Sequence, residues 1–453
     1  MRRHARGAAL AVLLLPWAWG CKGSGSGVVA LEGATLIDGS GVAPVRDALV
    51  LIKDGHIQAV ARVNEIEVPR GAERVNLIGK TIIPGLIDAH ARVLRWAGPR
   101  YLAWGVTTVR DFSPIGDSAI ALRSELNLVA ILGPRMYTAG GTIDGAPPTV
   151  AGASGAETPD AVRKAADARA VASADYIATE ARLPPQLLGP LLDEAATLRL
   201  PVVVRPGRID ALAAARGGVV SLEQLSGIVQ AAAGSGSYLR AYDTYLPGWT
   251  LEEKGWANLD SATIARTAQT LARTHIPLVP TLAMHEGISR MTDTTVATHP
   301  TMAEVPLSAP VVRDVGGLLK RSGWGRADFA LFRKARARQD QFVREFARAG
   351  GVLAAGSGAA SELLVPGPAL HDELELLVAA GLSPLEAIGA ATRTAAHLLH
   401  ADSLGWLAPG KVADLVVLNG NPAADIVATR EILWVMIRGR IVYPDSLRRS
   451  WGH

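Results

Sequence analysis

His90 and Arg92, at the end of an apolar run, are the clearest candidates for chemistry in the 453-residue chain. Residues two apart on a strand project to the same side, so both side chains are expected to face one site. An imidazole can hold or transfer a proton, and a guanidinium is a permanent cation whose fork suits a carboxylate or a phosphate. No other histidine occurs between His90 and His275, and Lys164 is the only lysine between residues 81 and 253. The site around His90 is therefore expected to lack a second histidine from this long stretch.

Several motifs resemble the metal-dependent amidohydrolases, in particular their imidazolonepropionase-like members. Segment 84–92 (PGLIDAHAR) is similar to the family's first barrel strand, where Pro-Gly-Leu-Ile-Asp leads into His-x-His. The other matching segments are 105–111 (GVTTVRD), 183–185 (LPP), 279–282 (VPTL), 381–387 (GLSPLEA), 391–396 (ATRTAA) and 407–417 (LAPGKVADLVV). The last is among the family's more distinctive signatures, and the motifs together cover nearly the whole chain after the N-terminal segment.

The resemblance implies a set of positions at which the family holds one or two divalent metals, such as zinc. In this chain they are occupied by His90, Arg92, Ala178, Arg205, Gln224 and Gly358. Only His90 is of the type that the family uses there. An arginine has no lone pair to offer a cation, and a guanidinium about 4 Å from a dication would be repelled by about 8 kcal/mol at an effective dielectric constant of about 20. We therefore expect no metal cofactor and assign no catalytic residue.

The same positions predict a binding site for a small anion. Arg92 and Arg205 supply two cations, Gln224 a neutral donor, and Glu180 a carboxylate that balances the arginines when no ligand is bound. Backbone amides of segment 356–358 are expected to add further donors. The predicted ligand-binding residues are His90, Arg92, Glu180, Arg205 and Gln224.

Two alternatives concern these charges and the remaining histidines. In the first, the two arginines simply pair with Glu180, Glu223 or Asp88 and fill the space left by the metal. In the second, a metal is retained by ligands outside the expected set. His285, after a predicted strand, and His371, before a predicted helix, are then the histidines to inspect beside Glu180.

The middle of the chain alternates apolar runs of strand length with alanine-rich helical stretches. Eight alternations predict a (β/α)8 TIM barrel over residues 83–402, with its chemistry at the carboxyl ends of the strands. Residues 28–82 and 403–448 are rich in short strands with turn signals, and they predict a small β-sandwich domain formed by both termini. The Gly/Trp-rich stretch 231–260 is predicted to be a long loop over one barrel face.

The N-terminal segment has the pattern of a bacterial lipoprotein signal. Basic residues at positions 2, 3 and 6 precede an apolar run, and Cys21, the only cysteine, follows a small-residue site. We predict a signal peptide over residues 1–20, lipid attachment at Cys21 and a flexible tether over residues 21–27. The alternative is a plain secretory signal with an incidental cysteine. The first interpretation places the protein in the cell envelope, where only the lipid anchor contacts the membrane.

The composition is that of an ordinary globular protein. Hydrophobic residues make up 49% and charged residues 19% of the chain, which argues against a disordered chain. The net charge of +4 is small, and no run of basic residues after position 6 resembles a nucleic-acid-binding patch. A single cysteine excludes an intrachain disulfide.

Three functional hypotheses follow. The leading one is a non-catalytic pseudoenzyme that binds a small ligand, an anion in its most specific form, or a protein partner in the mouth of the barrel. The second is a working hydrolase of the amidohydrolase type, acting on carbon–nitrogen bonds other than peptide bonds. The third is a metal-free enzyme with newly acquired chemistry. The first two differ outright in the metal content they require.

Overall fold

The computed structural model describes residues 27–234 and 241–451. The predicted signal peptide, the lipidation site Cys21 and the predicted tether up to residue 26 lie outside these ranges. Those assignments, and the location in the cell envelope that depends on them, stay predictions. Within the described residues, no helix is both long enough and apolar enough to cross a bilayer.

The strands fall into two groups, one at the ends of the chain and one in its middle. They are β1 Val28–Leu36, β2 Val45–Lys53, β3 His56–Arg62, β4 Glu73–Asn76, β5 Thr81–Pro84, β6 Leu86–Ala91, β7 Val106–Asp111, β8 Arg135–Thr138, β9 Thr142–Gly145, β10 Ser154–Ala156, β11 Ile177–Thr179, β12 Val202–Val204, β13 Ser221–Glu223, β14 Leu278–Val279, β15 Leu415–Leu418, β16 Ile432–Ile437 and β17 Arg440–Val442.

Helices follow most of the middle strands. They are α1 Gly98–Ala103, α2 Gly116–Asn127, α3 Pro159–Val171, α4 Pro185–Leu198, α5 Ala211–Arg216, α6 Ile228–Ala233, α7 Tyr245–Trp256, α8 Ser261–Ala272, α9 Leu282–Ser289, α10 Thr294–Ala297, α11 Pro310–Arg313, α12 Val315–Ser322, α13 Arg326–Arg348, α14 Pro368–Ala380, α15 Pro384–Gly389, α16 Ala395–Leu398 and α17 Pro444–Ser450.

Strands from both ends of the chain share one sheet. Its order is β17-β16-β15-β5-β1-β2-β3, and β4 pairs with β1 at the side. The junction between the two ends is the antiparallel pair β5–β15, in which Ile83 lies opposite Val416. Leu31, Ile82 and Leu415 are fully buried in the core of this sheet. The α/β class and the sheet-rich domain built from both termini are therefore confirmed, whereas the exact domain limits stay predictions.

The middle strands are parallel and form two sheets, β6-β7-β8 and β10-β9-β11-β12-β13-β14. The segment after α13 hydrogen bonds with the outer strand of each. On one side Leu278 and Leu353 form a parallel bridge. On the other side the Ala89 amide donates to Ala355 O at 2.9 Å, and the Gly358 amide donates to His90 O at 2.8 Å. Parallel strands point their carboxyl ends in one direction, so residues that follow them gather at one edge.

Side-chain caps fix the starts of several helices that pack around these strands. Thr158, Asp210 and Asp260 each accept a hydrogen bond from an amide of the first turn of α3, α5 and α8. Such a cap satisfies an otherwise unpaired amide and contributes about 1 kcal/mol. The long helix α13 buries Phe342 and Phe346, and it packs chiefly against α8 and α7. The capped helices thus hold the strand ends at fixed positions.

Candidate ligand-binding cavity

The carboxyl ends of the middle strands surround one cavity of about 730 Å³. His90 lies near the end of β6, and Glu180, Arg205 and Gln224 each directly follow a strand, β11, β12 and β13. Together with Arg92 they all line the cavity. The residues predicted from the sequence as ligand-binding are therefore brought together in space. Two further positions were implied by the resemblance as metal-ligand positions. Gly358 also lines the cavity, and Ala178 is buried within β11.

Arg205 is neutralised inside the protein. Its Nη1 lies 3.0 Å from Glu180 Oε2, and both side chains are almost completely buried. Nη2 donates to the Tyr245 hydroxyl, and the guanidinium lies 4.3 Å from the centre of the Tyr245 ring. Burial opposes the charge on Arg205, but Tyr245 and Glu180 outweigh it and raise the pKa of the guanidinium. Arg205 and Glu180 therefore form an ion pair with no net charge.

Arg92 is different, because its guanidinium makes no hydrogen bond or ion pair with any described residue. It is half-buried and lines the same cavity. A third arginine at the rim, Arg321, donates to Asp314 at 2.8 Å and to Glu362 at 3.3 Å. The alternative in which arginines pair within the protein thus describes Arg205 but not Arg92. The wall of the cavity keeps one unbalanced positive charge.

His90 belongs to a buried charged network. Its Nδ1 lies 2.7 Å from Glu223 Oε2, and the ring stacks on Phe112 with centroids 4.0 Å apart. The other oxygen of Glu223 accepts from Arg110 and Ser221, each at 2.5 Å. Glu223, which was one of the expected arginine partners, therefore binds Arg110 rather than Arg92 or Arg205.

Burial and hydrogen bonding set the charge states in this network. Burial would raise the pKa of Glu223, but Arg110 and the bond with His90 outweigh burial and lower it. Burial lowers the pKa of His90, and the bond with Glu223 offsets only part of this effect. The network therefore contains an ionised Glu223, a charged Arg110 and, at neutral pH, an uncharged imidazole.

Asp88 and the segment 356–358 are joined by hydrogen bonds. Asp88 accepts from the Ser357 amide at 2.9 Å and from Ser357 Oγ at 2.5 Å. Burial raises the pKa of Asp88 to about 6, although the bonds from Ser357 act in the opposite direction. The Gly358 amide donates to His90 O. The expectation that the amides of this segment bind a ligand is therefore wrong for Ser357 and Gly358, because their donors are already used.

Gln224 has an unusual backbone and an unsatisfied side chain. Its φ is +62°, in the left-handed region that non-glycine residues seldom adopt. Its Oε1 is enclosed and receives no hydrogen bond from any described residue. An enclosed carbonyl without a donor costs free energy. The structure therefore shows an unused acceptor at Gln224, where the sequence predicted chiefly a donor.

An aromatic wall completes the cavity and was not predicted. Tyr245, Trp249 and Trp324 line it, and the two tryptophan rings lie 5.3 Å apart. The predicted loop 231–260 instead contains the second half of α6 and all of α7, whose first two turns carry Tyr245 and Trp249. The only signal in the sequence was the tryptophan content of this stretch. The lining of the cavity thus combines charged residues at the strand ends with an apolar surface formed by these aromatic rings.

The two other candidate histidines lie elsewhere. His285 is buried and pairs with Glu253 at 2.9 Å, outside the cavity lining. His371 is buried between the Thr429 hydroxyl and Trp104 O, each 2.9 Å from a ring nitrogen. Burial lowers the pKa of His371 to about 3, so it stays neutral. The structure therefore does not bring either histidine to the predicted site.

These residues do not fit the divalent metal that the amidohydrolase fold implies. Ala178 and Gly358 offer no side-chain donor, and Arg92 and Arg205 repel a cation. Glu223, the carboxylate nearest to His90, already binds Arg110. Across the described ranges, no group of three or more His, Cys, Asp or Glu side chains is placed to share one ion. A metal centre of the usual kind requires three or four such ligands.

Comparisons with known proteins agree with this fold. Residues 355–442 match the amidohydrolase family. A protein assigned as a prolidase from Bifidobacterium longum is 23% identical, with 94% of this chain and 99% of that chain covered and a TM-score of 0.68. Bottromycin amidohydrolase is 20% identical, with coverages of 93% and 88% and a TM-score of 0.71. The A. niger ochratoxinase is 18% identical, with coverages of 92% and 96% and a TM-score of 0.65.

At these identities the structural likeness concerns the fold alone. None of the curated proteins compared with the chain matches it in sequence. The predicted resemblance to the amidohydrolase superfamily is nevertheless confirmed, by the family match and by the shared fold.

Proposed function

We propose that this chain is an amidohydrolase-fold protein that binds a small monoanion in its cavity without a catalytic metal. The observation that carries the proposal is the unpartnered Arg92 guanidinium in the cavity wall. Arg205 is balanced by Glu180, and Arg321 by Asp314 and Glu362. Within the described cavity lining three arginines face two glutamates, so one positive charge is in excess, which is why a ligand with a single negative charge matches the site better than a dianion.

The size and lining of the cavity support a small molecule rather than a macromolecular partner. A volume of about 730 Å³ lies within the range usual for small-ligand sites. Trp249 and Trp324 add apolar surface to the same cavity lining. A carboxylate with an apolar group of moderate size would satisfy both parts, since the guanidinium fork matches a carboxylate.

A closed architecture gives the proposed site its rigidity. We infer that the two parallel sheets close into a (β/α)8 barrel, and that the sheet from both termini folds as a β-sandwich. Support comes from the bonds of the segment 352–358 to β14 and β6 on its two sides. In such a barrel the strand ends cannot separate, so Arg92 and Gln224 keep their positions when the cavity is empty.

The alternative function is hydrolysis of carbon–nitrogen bonds, which rests on the shared fold. The similar structures include a prolidase and an amidohydrolase. Fold alone does not establish an activity, and the described residues do not provide the ligands for a water-activating metal. Metal content separates the two functions.

Calorimetric titration with phenylacetate tests the binding proposal. Arg92 is the one arginine of the described cavity lining without an ion pair, so Arg92→Gln should weaken binding and is expected to cost about 2 kcal/mol, or about 30-fold in affinity. Arg321→Gln is the matched control, because it removes an equal charge from the rim that is already paired. Equal losses in both variants, or no binding to the wild type, would contradict the proposal.

A further inference from the structure

The orientation of the His90 ring leaves one nitrogen open to the cavity. Nδ1 is used by Glu223 at 2.7 Å, and stacking on Phe112 fixes the plane of the ring. The side chain is 10% exposed and lines the cavity. Nε2 bonds to no described residue and is not among the enclosed polar atoms that lack a partner. The accessible edge of the ring is therefore Nε2.

The partner of Nδ1 determines which nitrogen carries the proton. Glu223 also accepts from Arg110 Nη2 and Ser221 Oγ, each at 2.5 Å. A carboxylate that receives donors on both oxygens is held as an anion, and an anion requires a proton on the facing nitrogen. Nδ1 is then the donor, and Nε2 keeps its lone pair. The cavity thus presents a hydrogen-bond acceptor at His90. The tautomer is fixed by Glu223, which is itself held by Arg110 and Ser221.

The acceptor and the free cation are close neighbours. His90 is the last residue but one of β6 and Arg92 directly follows the strand, a Cα separation of about 6.6 Å along an extended chain. Both residues line the cavity. A ligand held by Arg92 therefore places the atoms next to its carboxylate close to His90 Nε2, an acceptor that lacks a proton donor among the described residues.

We propose that the site selects an apolar hydroxycarboxylate, whose carboxylate binds Arg92 and whose nearby hydroxyl donates to His90 Nε2. This inference rests on the proposed anion binding and adds a specificity-determining residue to it. The apolar group of the ligand packs against Trp249 and Trp324. An acid without the hydroxyl leaves Nε2 desolvated and unpaired, which is the usual origin of strong selection for a donor.

Three acids of the same shape test the role of the hydroxyl on the unmodified protein. Mandelate carries the donor, phenylacetate lacks it, and α-methoxyphenylacetate has an oxygen that can only accept. Mandelate is expected to bind at least about tenfold more tightly than either of the others. Equal affinities for mandelate and the methoxy acid would overturn the proposal, because Nε2 would then not be acting as an acceptor.

His90→Asn tests the residue itself. The shorter amide can still donate to Glu223 from the position of Nδ1, but it places no acceptor where Nε2 stood. The ratio of mandelate affinity to phenylacetate affinity should fall to about one; a ratio that stays at about tenfold would overturn the proposal. If phenylacetate and mandelate bind equally and both need Arg92, this inference fails and the anion site stands. If neither binds, both fail.

Discussion

The contact between Arg205 and Glu180 places a pair of opposite charges just after β12 and β11. Both side chains are nearly completely buried and are 3.0 Å apart. A buried ion pair gains little net free energy, but removing one partner leaves an uncompensated charge in a poorly solvated place. The pair therefore makes Arg205 unavailable to a ligand.

Glu180→Gln should change stability and binding in opposite directions. The free energy of unfolding is expected to fall by about 3 kcal/mol, because Arg205 loses its counter-charge. Affinity for phenylacetate should rise by about tenfold, since two cations then face the cavity. Denaturant unfolding measures the first effect and calorimetric titration the second.

Glu362→Gln is the control for this variant. Glu362 lines the same cavity but pairs with the exposed Arg321 at the rim, where solvent screens the interaction. Little change in stability is expected. A Glu180→Gln variant that binds phenylacetate more weakly than the wild type would contradict the assignment of Glu180 as an internal counter-ion.

The sequence predicted which residues line the cavity better than it predicted their ion-pair and hydrogen-bond partners. Strand-end positions were enough to bring His90, Arg92 and Gln224 together, because parallel strands share one edge. The sequence did not show which arginine stays free. That depends partly on Tyr245, which lies on α7. The fold, and not closeness in sequence, brings Tyr245 into contact with Arg205.

At the scale of elements, most helices and strands matched the sequence pattern. In the alternation of apolar runs and helical stretches, the helical stretch 185–198 has the bounds of α4, and the apolar run 135–138 those of β8. The failure is α7, which lies in the Gly/Trp-rich stretch predicted to be a loop and contains Pro247 and Gly248. Both lie in the first turn of the helix, where amides have no partner within the helix and a proline therefore loses nothing.

Glu373 connects two helices near the cavity. It lies on α14, and its Oε2 accepts from the Ala283 amide in the first turn of α9 at 2.7 Å. Burial raises the pKa of this carboxyl from 4.5 to about 8, although the backbone bonds act in the opposite direction. The folded protein therefore keeps a proton on Glu373 at pH values where the unfolded chain has lost it.

Stability should accordingly fall as pH rises through this window. The contribution of Glu373 is fully present below about pH 4.5 and is lost as pH approaches about 8, since the folded state binds more protons between these values. The fall in unfolding free energy from pH 5 to pH 8 is expected to be smaller in Glu373→Gln than in the wild type, by about 1 kcal/mol or more. Chemical denaturation at the two pH values measures it.

Glu386→Gln gives the comparison. Glu386 is an exposed capping residue of α15, and hydrogen bonds from Ser383 lower its pKa. Its charge is therefore the same in the folded and unfolded states above pH 5, and the variant should keep the pH dependence of the wild type. An unchanged dependence in Glu373→Gln would show that the buried carboxyl does not titrate in this way.

At the scale of the whole molecule, the fold resembles that of the amidohydrolases, while five of the six positions that the resemblance assigns to metal ligands carry other residue types. The sheet from both termini, the parallel middle strands and the match over residues 355–442 all indicate the amidohydrolase architecture. The sequence predicted this architecture because it depends on periodic apolar runs and turn motifs. The state of the site depends instead on single substitutions such as Arg92 and Arg205, whose effect is decided by local contacts.

Elemental analysis of the full-length protein, purified without chelators, tests most directly whether this site works without a metal. Because the described strand ends supply His90 but no set of three ligands around it, the content of zinc, nickel, iron and manganese is expected to total at most about 0.1 per chain. A content of about one metal or more per chain, retained on gel filtration, would contradict the account and favour the hydrolase.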